Sequence, residues 1–537
     1  MKKRIILILL LFCFSYNLFA QEDAWVYLSD KENVSMSLSN PISILTQKAI
    51  DRKNAHGVAI DERDIPVNES YITQIKNIIG ITVLAKSKWF NALHVRGTQT
   101  AIEGLLSLDF VTAIDFANKS LNSKTIKVKQ KQSHQSKLEN VFTTFDYGDA
   151  SNQIEMFNGN KLHIADYTGT GMTIAVLDSG FPNVHTMTSF QRLRDAGNLL
   201  GSYDFVNRSD NVFTGTTSSH GTWVLSDMAG YIENEFVGTA PDAAYYLFIT
   251  EDAPNENPVE ESYWVEAAER ADSLGVDIIN TSLGYKTYDK TSYSYSSADM
   301  DGNTAYITKG ANIAFEKGLL LVTSAGNSGN FGVGAPADSP NVLSIGAVNA
   351  SGNYVSFSSV GSAIQPTQKP DVVAQGSNSI VIGPDDVIRA LNGTSFSSPI
   401  IAGGIACLWQ ALPNKTNAEI MQLVRESASQ YISPDYFLGY GIPNLELALN
   451  YSLSIKIDTV KELRIYPVLV KDVLYIDGLL NENKVFLKIY NVLGEYINTY
   501  VVSGVNNYVN LNTLSKGIYI VKLEKTSGSK TFKFIKQ

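Results

Sequence analysis

Between about residue 146 and residue 449 the chain alternates short apolar, β-branched runs with longer helical patterns. Short apolar runs bounded by turns are typical of parallel strands that are buried on both faces. The predicted strands are 173–177, 244–249, 277–280, 319–323 and 342–348, and the predicted helices are 264–274, 308–316, 398–408 and 417–427. This alternation predicts an α/β fold, with a doubly wound, mostly parallel sheet and helices on both faces. In such sheets functional side chains lie just beyond the carboxyl ends of the strands.

Three short motifs near these elements contain the side chains that a serine hydrolase needs. Asp178 ends a strand-like run in VLDSG, His220 stands in SHGT, and Ser395 follows a Gly-Thr pair in GTSFSSP. Serine is a weak nucleophile at its free pKa, so a hydrolase pairs it with a base and orients that base with an anion. Asp before His before Ser is one of the chain orders in which such triads occur. Taken alone, His220 fits a helix-cap residue equally well, and the two other motifs favour the catalytic interpretation.

All three motifs are similar to those of the subtilase (subtilisin-like, S8-type) serine peptidases, and the chain resembles that family over residues 146–450. The resemblance implies that Asp178 accepts a hydrogen bond from His220 and fixes its tautomer. It also implies that His220 takes the proton of Ser395, whose oxygen attacks the substrate carbonyl. The expected reaction is hydrolysis of peptide bonds through an acyl-enzyme intermediate, with no cofactor required for the chemistry.

Two further motifs resemble segments that surround the nucleophile in that family. Asn327, in SAGNSG, would donate its side-chain amide to the oxyanion, together with the backbone N–H of Ser395. An Asn-Gly-rich segment is otherwise most often only a turn. Ser282, Leu283 and Gly284 would line the substrate and pair with an extended peptide. A strand that ends at a glycine turn gives the same pattern, so that alternative stays open.

The segment after Gly284 departs from the family pattern. Tyr285 stands where the family often has a second glycine, and an insertion rich in Tyr, Ser and Asp extends to about residue 303. Within it Asp299, Asp301 and Asn303 alternate around a glycine, as the oxygen ligands of a structural Ca²⁺ do. The later Glu of a complete loop is missing, so a solvated acidic turn is the favoured interpretation. The sequence therefore leaves the metal ligands unassigned and a structural Ca²⁺ open.

The first 20 residues have the pattern of a secretory signal peptide: a basic start, an apolar run over 5–12 and a small residue at Ala20. A membrane anchor needs about 20 apolar residues, and this run is shorter. Lipidation at Cys13 is disfavoured by the bulky Phe12 before it. The predicted signal peptide therefore covers residues 1–20.

Residues 21–121 alternate strand-like and helix-like runs in the order βαββαβ with one extra helix, which predicts an α+β, ferredoxin-like unit. Its place before the three motifs resembles that of a subtilase prodomain, which in the family assists folding and blocks the active site until it is removed. Residues 122–145 include a stretch rich in Lys, Gln and Ser and are predicted to be a linker in which processing is easy.

Residues 455–537 change to all-β alternation, and seven short strands predict a small β-sandwich. LRIYP, IYNVLG and LSKGIY follow one another there. They resemble, in this order, motifs of the C-terminal sorting domain carried by type IX secretion cargo in Bacteroidetes. The alternative is a sandwich that binds carbohydrate or cell wall.

Together these patterns predict a secreted or cell-surface serine endopeptidase, made as a precursor and exported through the periplasm. Its expected partners are protein and peptide substrates, its own prodomain as an intramolecular inhibitor, and the type IX secretion machinery. Nucleic acid is not an expected partner, because the net charge is -10 and no basic face is indicated. The main alternative is a catalytically silent subtilase fold that acts as a surface binding or adhesion protein. An esterase is disfavoured because no Gly-x-Ser-x-Gly motif surrounds Ser395.

Overall fold

The computed structural model describes residues 21–122, 145–216, 218–453, 464–477, 479, 485–503, 507–525 and 528–537. The chain forms two compact units, Met1–Ser452 and Leu453–Gln537. The predicted signal peptide, most of the predicted linker and the start of the predicted tail (residues 455–463) lie outside the described residues. Among the described helices, none combines the length and the apolar character needed to cross a membrane.

The N-terminal segment of the first unit is a small α+β layer. Its elements are β1 (Gln21–Leu28), α1 (Val34–Ser39), α2 (Gln47–Ala55), α3 (Glu69–Lys76), β2 (Ile81–Ser87), β3 (Ala92–Thr98), α4 (Gln99–Gly104) and β4 (Val111–Phe116). The strands form one antiparallel sheet in the order β2-β3-β1-β4. The ferredoxin-like prediction is confirmed, and α1 is a helix that the sequence pattern does not predict. The side chains of Thr46 and Asn68 cap α2 and α3.

The central segment carries the predicted strand and helix alternation. Its first elements are α5 (Ser151–Glu155), α6 (Gly159–Ile164), β5 (Thr173–Asp178), α7 (Gln191–Asp195), β6 (Leu199–Asp204), α8 (His220–Ala229), β7 (Tyr231–Ile232), β8 (Phe236–Val237), β9 (Ala244–Ile249) and α9 (Val259–Leu274). They are followed by β10 (Ile278–Thr281), α10 (Tyr306–Glu316), β11 (Leu320–Ser324), β12 (Val342–Val348), β13 (Val372–Gln375), β14 (Ser379–Ile382), β15 (Ile388–Leu391), α11 (Thr394–Ala411), α12 (Asn417–Glu426) and α13 (Leu445–Leu453).

Seven of these strands form one parallel sheet in the order β13-β12-β11-β10-β5-β9-β6. Side chains alternate between the two faces of a strand. In β5, Ala175 and Leu177 therefore join the apolar cluster with α9 and α10, while Ile174 and Val176 point to the opposite face and are also fully buried. The sheet is covered on both faces, which confirms the doubly wound α/β prediction.

Helix α11 approaches the sheet closely because it carries small residues. It contacts β10, β11, β12 and β13 on one side and α8 on another. A Cβ at Gly403 would lie 2.0 Å from Oγ1 of Thr239, and one at Gly404 would lie 2.6 Å from Cε2 of Phe157. Larger residues at these positions would push the helix away from its neighbours. The same helix begins with the Gly-Thr-Ser motif, so its close packing fixes the position of Ser395.

The N-terminal segment packs on α9 and α10. Trp25 stacks on Tyr306 with ring centroids 4.4 Å apart, and its indole N–H donates to Oγ of Ser262 at 2.8 Å. The carboxylate of Glu269, on α9, accepts hydrogen bonds from the hydroxyl of Ser87 and from the backbone N–H groups of residues 88 and 89. Burial raises the pKa of Glu269 to about 7. The interface therefore combines aromatic stacking with buried polar pairs.

The second unit is all-β. Its strands are β16 (Arg464–Tyr466), β17 (Leu469–Val470), β18 (Val473–Asp477), β19 (Val485–Asn491), β20 (Tyr496–Val502), β21 (Tyr508–Asn510), β22 (Gly517–Lys525) and β23 (Gly528–Lys536). One sheet has the order β16-β18-β21 and the other the order β17-β23-β22-β19-β20. Buried side chains of both sheets form one apolar cluster, so the predicted small sandwich is observed. The short strand β17 is the one that the pattern does not predict.

Candidate active site

Asp178 and His220 meet where a strand end faces a helix start. Asp178 is the last residue of β5 and fully buried, and His220 is the first residue of α8. Nδ1 of His220 lies 2.9 Å from Oδ1 and 3.0 Å from Oδ2 of Asp178. The glycine after the histidine permits this approach, because a Cβ at Gly221 would lie 2.6 Å from the carbonyl oxygen of Gly180 and 3.0 Å from Cβ of Asp178.

The carboxylate of Asp178 is held by further donors. Its Oδ1 accepts the backbone N–H of Ser179 at 2.7 Å and the hydroxyl of Ser179 at 3.1 Å. A buried carboxylate needs such donors because burial removes its contacts with water. Ser179, which sequence reasoning did not single out, therefore supports the position of the predicted acid.

The surroundings of His220 favour its protonated form. Burial acts most strongly and by itself would lower the pKa of His220, but the charge of Asp178 and its hydrogen bond outweigh burial. Glu251 adds a smaller effect in the same direction, and the net pKa is raised above the ordinary value of 6.5. An imidazole in this setting can accept a proton at Nε2 while Nδ1–H remains on the carboxylate.

Ser395 lies in the first turn of α11, beside the predicted substrate-lining segment. Its hydroxyl donates to the carbonyl oxygen of Ser282 at 3.2 Å, and its own carbonyl oxygen accepts the hydroxyl of Ser282 at 2.8 Å. The ring of Phe396, the next residue, has its centroid 6.2 Å from that of His220. Within the described part of the chain, the hydroxyl of Ser395 makes its hydrogen bond to Ser282 and none to His220. Such bonds are often long or absent before substrate binds.

Ser282 is itself fixed by a short polar network. Nδ2 of Asn280 donates to Oγ of Ser282 at 3.2 Å, and Oδ1 of the same amide accepts the hydroxyl of Ser398 at 2.9 Å. The network joins the end of β10 to the first turns of α11. Asn280 and Ser398 are supporting residues that sequence reasoning missed, although both stand next to motifs that it singled out.

Asn327 is fixed by hydrogen bonds from the first turn of α11. Its Oδ1 accepts both the backbone N–H of Thr394, at 2.9 Å, and the hydroxyl of Thr394, at 3.0 Å. These two bonds fix the amide and leave Nδ2 as the group that faces a substrate. A Cβ at Gly393 would lie 3.6 Å from Nδ2 of Asn327 and 3.6 Å from the backbone N of Ser395. The two predicted oxyanion donors therefore border the same small space.

Leu283 and Gly284 present free backbone groups. Leu283 is partly exposed and Gly284 is exposed. Among the described residues, their N–H and C=O groups have no hydrogen-bond partner, whereas Tyr285 pairs with Ala335 through bonds of 2.8 and 2.9 Å. An exposed edge of this kind can pair with an extended peptide.

Glu251 and Tyr285 form a polar pair that sequence reasoning missed. The hydroxyl of Tyr285 donates to Oε1 of Glu251, which follows β9, the strand next to β5. Burial is the main cause that raises the pKa of Glu251 to about 8, and the negative charges of Glu256 and Asp178 contribute. The one sequence feature that could have indicated Glu251 is its position just after the predicted strand 244–249.

The acidic residues of the insertion are used as turn caps. Oδ1 of Asp301 accepts the N–H groups of Asn303 and Thr304 at 2.9 and 2.7 Å. Asp299 accepts the N–H and hydroxyl of Ser296 and pairs with Lys119 at 3.1 Å. In the part of the chain that the structure describes, no three His, Cys, Asp or Glu side chains gather in a way that could hold a metal ion.

Comparison with known proteins matches three parts of the chain to family models. These are the "Peptidase S8 propeptide domain, Bacteroidota" over residues 23–137, the "Subtilase family" over residues 169–441, and the "Secretion system C-terminal sorting domain" over residues 464–537. The order agrees with the predicted prodomain, catalytic part and type IX export tail. The chain is thus a peptidase precursor that is exported to the cell surface or the medium.

Individual relatives agree with the family models. Subtilisin NAT of Bacillus subtilis subsp. natto is 30% identical over 342 residues, which cover 62% of this chain and 81% of that protein. Subtilisin of Bacillus pumilus is 31% identical over 301 residues, which cover 55% of this chain and 97% of that protein. The solved structure of the prenylagaramide maturation protease PagA is similar with a TM-score of 0.44 and 24% identity, over 55% of this chain and 98% of that one. On the family model and the two subtilisins, the chain belongs to the subtilase family and is a subtilisin-like serine peptidase.

Proposed function

We propose that the chain is an endopeptidase that hydrolyses peptide bonds with Ser395 as nucleophile, His220 as base and Asp178 as the anion that orients the base. The observation that carries this proposal is the contact of Nδ1 of His220 with both oxygens of the buried Asp178. That contact supports the neutral tautomer with its proton on Nδ1, in which Nε2 is the acceptor.

In the first step the hydroxyl of Ser395 leaves the carbonyl oxygen of Ser282 and donates to Nε2 of His220. As the proton passes to His220, Oγ of Ser395 bonds to the substrate carbonyl carbon, and the electron pair of the C=O bond moves onto its oxygen. Collapse of this intermediate breaks the C–N bond, and His220 returns the proton to the leaving amine. Water, activated by His220 in the same way, then releases the acyl group from Ser395.

The negative charge on the carbonyl oxygen is met by two donors, Nδ2 of Asn327 and the backbone N–H of Ser395. The side-chain donor is preorganised by its bonds to Thr394, and the backbone donor lies in the first turn of a helix, where no intrahelical acceptor exists. Donors that are fixed before the reaction stabilise the transition state without reorganisation.

The substrate segment would lie along Ser282, Leu283 and Gly284 and add a strand to that edge. Because main-chain hydrogen bonds form along an extended peptide, cleavage within unfolded or looped chains is expected rather than removal of terminal residues. Protein and peptide substrates are therefore the proposed class.

The same proposal assigns the parts of the precursor. Residues 1–20 are the signal peptide, 21–121 the prodomain, 122–145 the linker, 146–450 the catalytic part and 455–537 the sorting domain. The prodomain acts as an intramolecular inhibitor, and both it and the sorting domain are removed during export and maturation. What supports this division is the order of the three matched family models and the boundary between the two compact units near residue 452, although the propeptide model extends to residue 137 and so includes part of the proposed linker.

The test is active-site labelling with a fluorophosphonate probe, combined with a cleavage profile on a denatured protein mixture. The proposal expects labelling that Ser395→Ala abolishes, and it expects internal cleavage sites. Labelling that persists in Ser395→Ala would remove Ser395 as nucleophile. A folded, processed enzyme that neither labels nor cleaves would favour the silent binding or adhesion protein, and a profile confined to chain ends would exclude an endopeptidase.

A further inference from the structure

The insertion that follows the substrate-lining segment, residues 286–303, is anchored in the catalytic part by one buried carboxylate. Oε1 of Glu261, on α9, accepts the hydroxyls of Tyr288 and Tyr295 at 2.7 and 2.8 Å, and its Oε2 accepts the N–H of Ile307 at 2.8 Å. Both tyrosines are buried, as is Tyr293 between them. Buried groups that are fully hydrogen-bonded fix a local structure. The insertion is therefore a built element of the surface rather than a solvated loop.

Its outer side holds the first residues of β1. The hydroxyl of Tyr293 accepts the backbone N–H of Asp23 at 3.0 Å and lies 3.2 Å from Oε2 of Glu22. Nζ of Lys290 lies 2.7 Å from Oε2 of Glu22 and donates to the carbonyl oxygen of Gln21 at 3.2 Å. Two side chains of the insertion therefore contact three consecutive residues of the N-terminal segment.

A second contact holds the other end of the same segment. Nζ of Lys119 lies 3.1 Å from Oδ1 of Asp299 and 4.0 Å from the ring centroid of Tyr295. Lys119 follows β4, and the start of β1 and the end of β4 are neighbours, since the N–H of Ala117 donates to the carbonyl oxygen of Asp23 at 2.9 Å. The insertion therefore contacts one corner of the prodomain, and the predicted linker begins only three residues after Lys119.

We propose that the insertion, residues 286–303, is the recognition surface for the chain's own prodomain. It binds the acidic residues at the start of the prodomain and the lysine at its end, and it sets how long the prodomain stays bound after the linker is cut. This inference rests on the proposed function, in which the prodomain is the inhibitor. It goes beyond it by assigning partner recognition to a segment outside the catalytic residues. The paired charges, Lys290 with Glu22 and Asp299 with Lys119, make the surface selective for this prodomain.

The test uses the full chain with Ser395→Ala, so that retention of the prodomain is measured without self-digestion. Trypsin cuts after lysines of the linker, and the release of the prodomain is then followed over time by size-exclusion chromatography with mass detection. Lys290→Ala and Tyr293→Phe are each expected to raise the release rate about three- to tenfold, because each removes contacts to Glu22 or to the β1 backbone. Lys290→Glu combined with Glu22→Lys is expected to return the rate to within about twofold of the parent.

The matched control is Lys488→Ala in the second unit. Lys488 pairs with Glu524 at 2.6 Å, and its side chain is 34% exposed against 35% for Lys290. This control is expected to leave the release rate unchanged. If Lys290→Glu does not fold, the release rate of Tyr293→Phe decides the test. The melting temperature of Tyr293→Phe is compared with that of the parent to show that this variant is folded.

Release rates of Lys290→Ala and Tyr293→Phe equal to that of the parent would overturn the inference, and so would a charge exchange that restores nothing. Neither result touches the role of Ser395, which is read separately by fluorophosphonate labelling of the chain with its serine intact. If the chain with its serine intact is not labelled by fluorophosphonate, while Lys290→Ala and Tyr293→Phe still release the prodomain faster than the parent, the proposed function is refuted and the recognition surface stands.

Discussion

Gly403 offers a sharp test of how packing of α11 fixes the nucleophile. A Cβ at this position would lie 2.0 Å from Oγ1 and 3.0 Å from Cβ of Thr239, and 3.1 Å from the backbone N of Ala240. Ordinary contact begins near 3.4 Å, so Gly403→Ala is about 1.4 Å too close to the hydroxyl. The hydroxyl is held by its bond to the carbonyl oxygen of Asp227 at 3.2 Å. Even if it rotates away, about 0.4 Å of overlap with Cβ of Thr239 remains.

Helix α11, whose first turn contains Ser395, must therefore shift by about 0.4 to about 1.4 Å. A misplacement of about 1 Å at a reacting group lowers the rate by about 10²-fold. We expect Gly403→Ala to lower kcat by about 10- to 100-fold and to destabilise the enzyme by about 1–3 kcal/mol. The assay is turnover of a chromogenic peptide by the matured enzyme, with active sites titrated by fluorophosphonate, together with the half-life of thermal inactivation.

A second-site variant separates the local overlap from general damage. Thr239→Ala removes the hydroxyl that Gly403→Ala would meet, so the double variant is expected to recover part of the lost kcat and part of the lost half-life. If Gly403→Ala keeps kcat within about twofold of the parent and inactivates at the same rate, close packing does not position the nucleophile. A double variant that recovers nothing would refute the specific contact.

Four further results are expected. His220 acts as a base only when it is neutral, and the charge of Asp178 outweighs burial and raises the pKa of His220, so kcat/KM should decline on the acid side with a midpoint above pH 6.5. Asp178→Asn should lower kcat by about 10⁴-fold. Asn327→Ala should lower kcat by about 10²- to 10³-fold with little change in KM, which steady-state kinetics on a peptide measures. Burial lowers the pKa of His163 to about 4, so on acidification the unfolded state binds a proton before the folded state does. The free energy of unfolding should therefore fall by about 3 kcal/mol between pH 6.5 and pH 4, as measured by urea titrations at several pH values. His163→Gln should make this decrease smaller.

The central sheet could be predicted in its interior strands, and not at its two edges, β13 and β6. The interior strands β5, β11 and β12 are buried throughout and read as continuous apolar runs. The edge strand β6 contains Gly201 and is mostly half-exposed, so it has no apolar run, and it forms because β9 offers a parallel partner. The short strand β13 follows Pro370, and it forms by pairing with β12. Tertiary pairing decides such strands, and it is not visible in local sequence.

In the candidate site too, some residues could be found from sequence motifs, whereas other contacts form only through tertiary packing. Asp178, His220, Ser395 and Asn327 were recognisable because each stands in a motif at an element end. The double contact of Ser282 with Ser395 joins residues 113 positions apart, and the pair of Glu251 and Tyr285 joins residues 34 positions apart. No local pattern marks such pairs, because either partner alone fits an ordinary surface residue. They arise only when the fold brings the end of β10 beside α11 and the residues after β9 and β10 together.

The face of α9 that contacts the prodomain contains carboxylates, and these affect its properties both in the precursor and after the prodomain is removed. Glu269 is bonded to the turn at residues 87–89, and Asp272 is bonded to Arg52 and to Lys53, the latter at 2.8 Å. While the prodomain is bound, each buried carboxylate has a donor, as a buried charge requires. Once the prodomain leaves, water replaces those donors on an exposed helix face. An apolar face would instead be left as a large exposed patch, which favours aggregation. We therefore expect these hydrogen-bonded carboxylates, beside the aromatic contact of Trp25 and Tyr306, to hold the prodomain on α9 and to leave polar groups there that water can solvate.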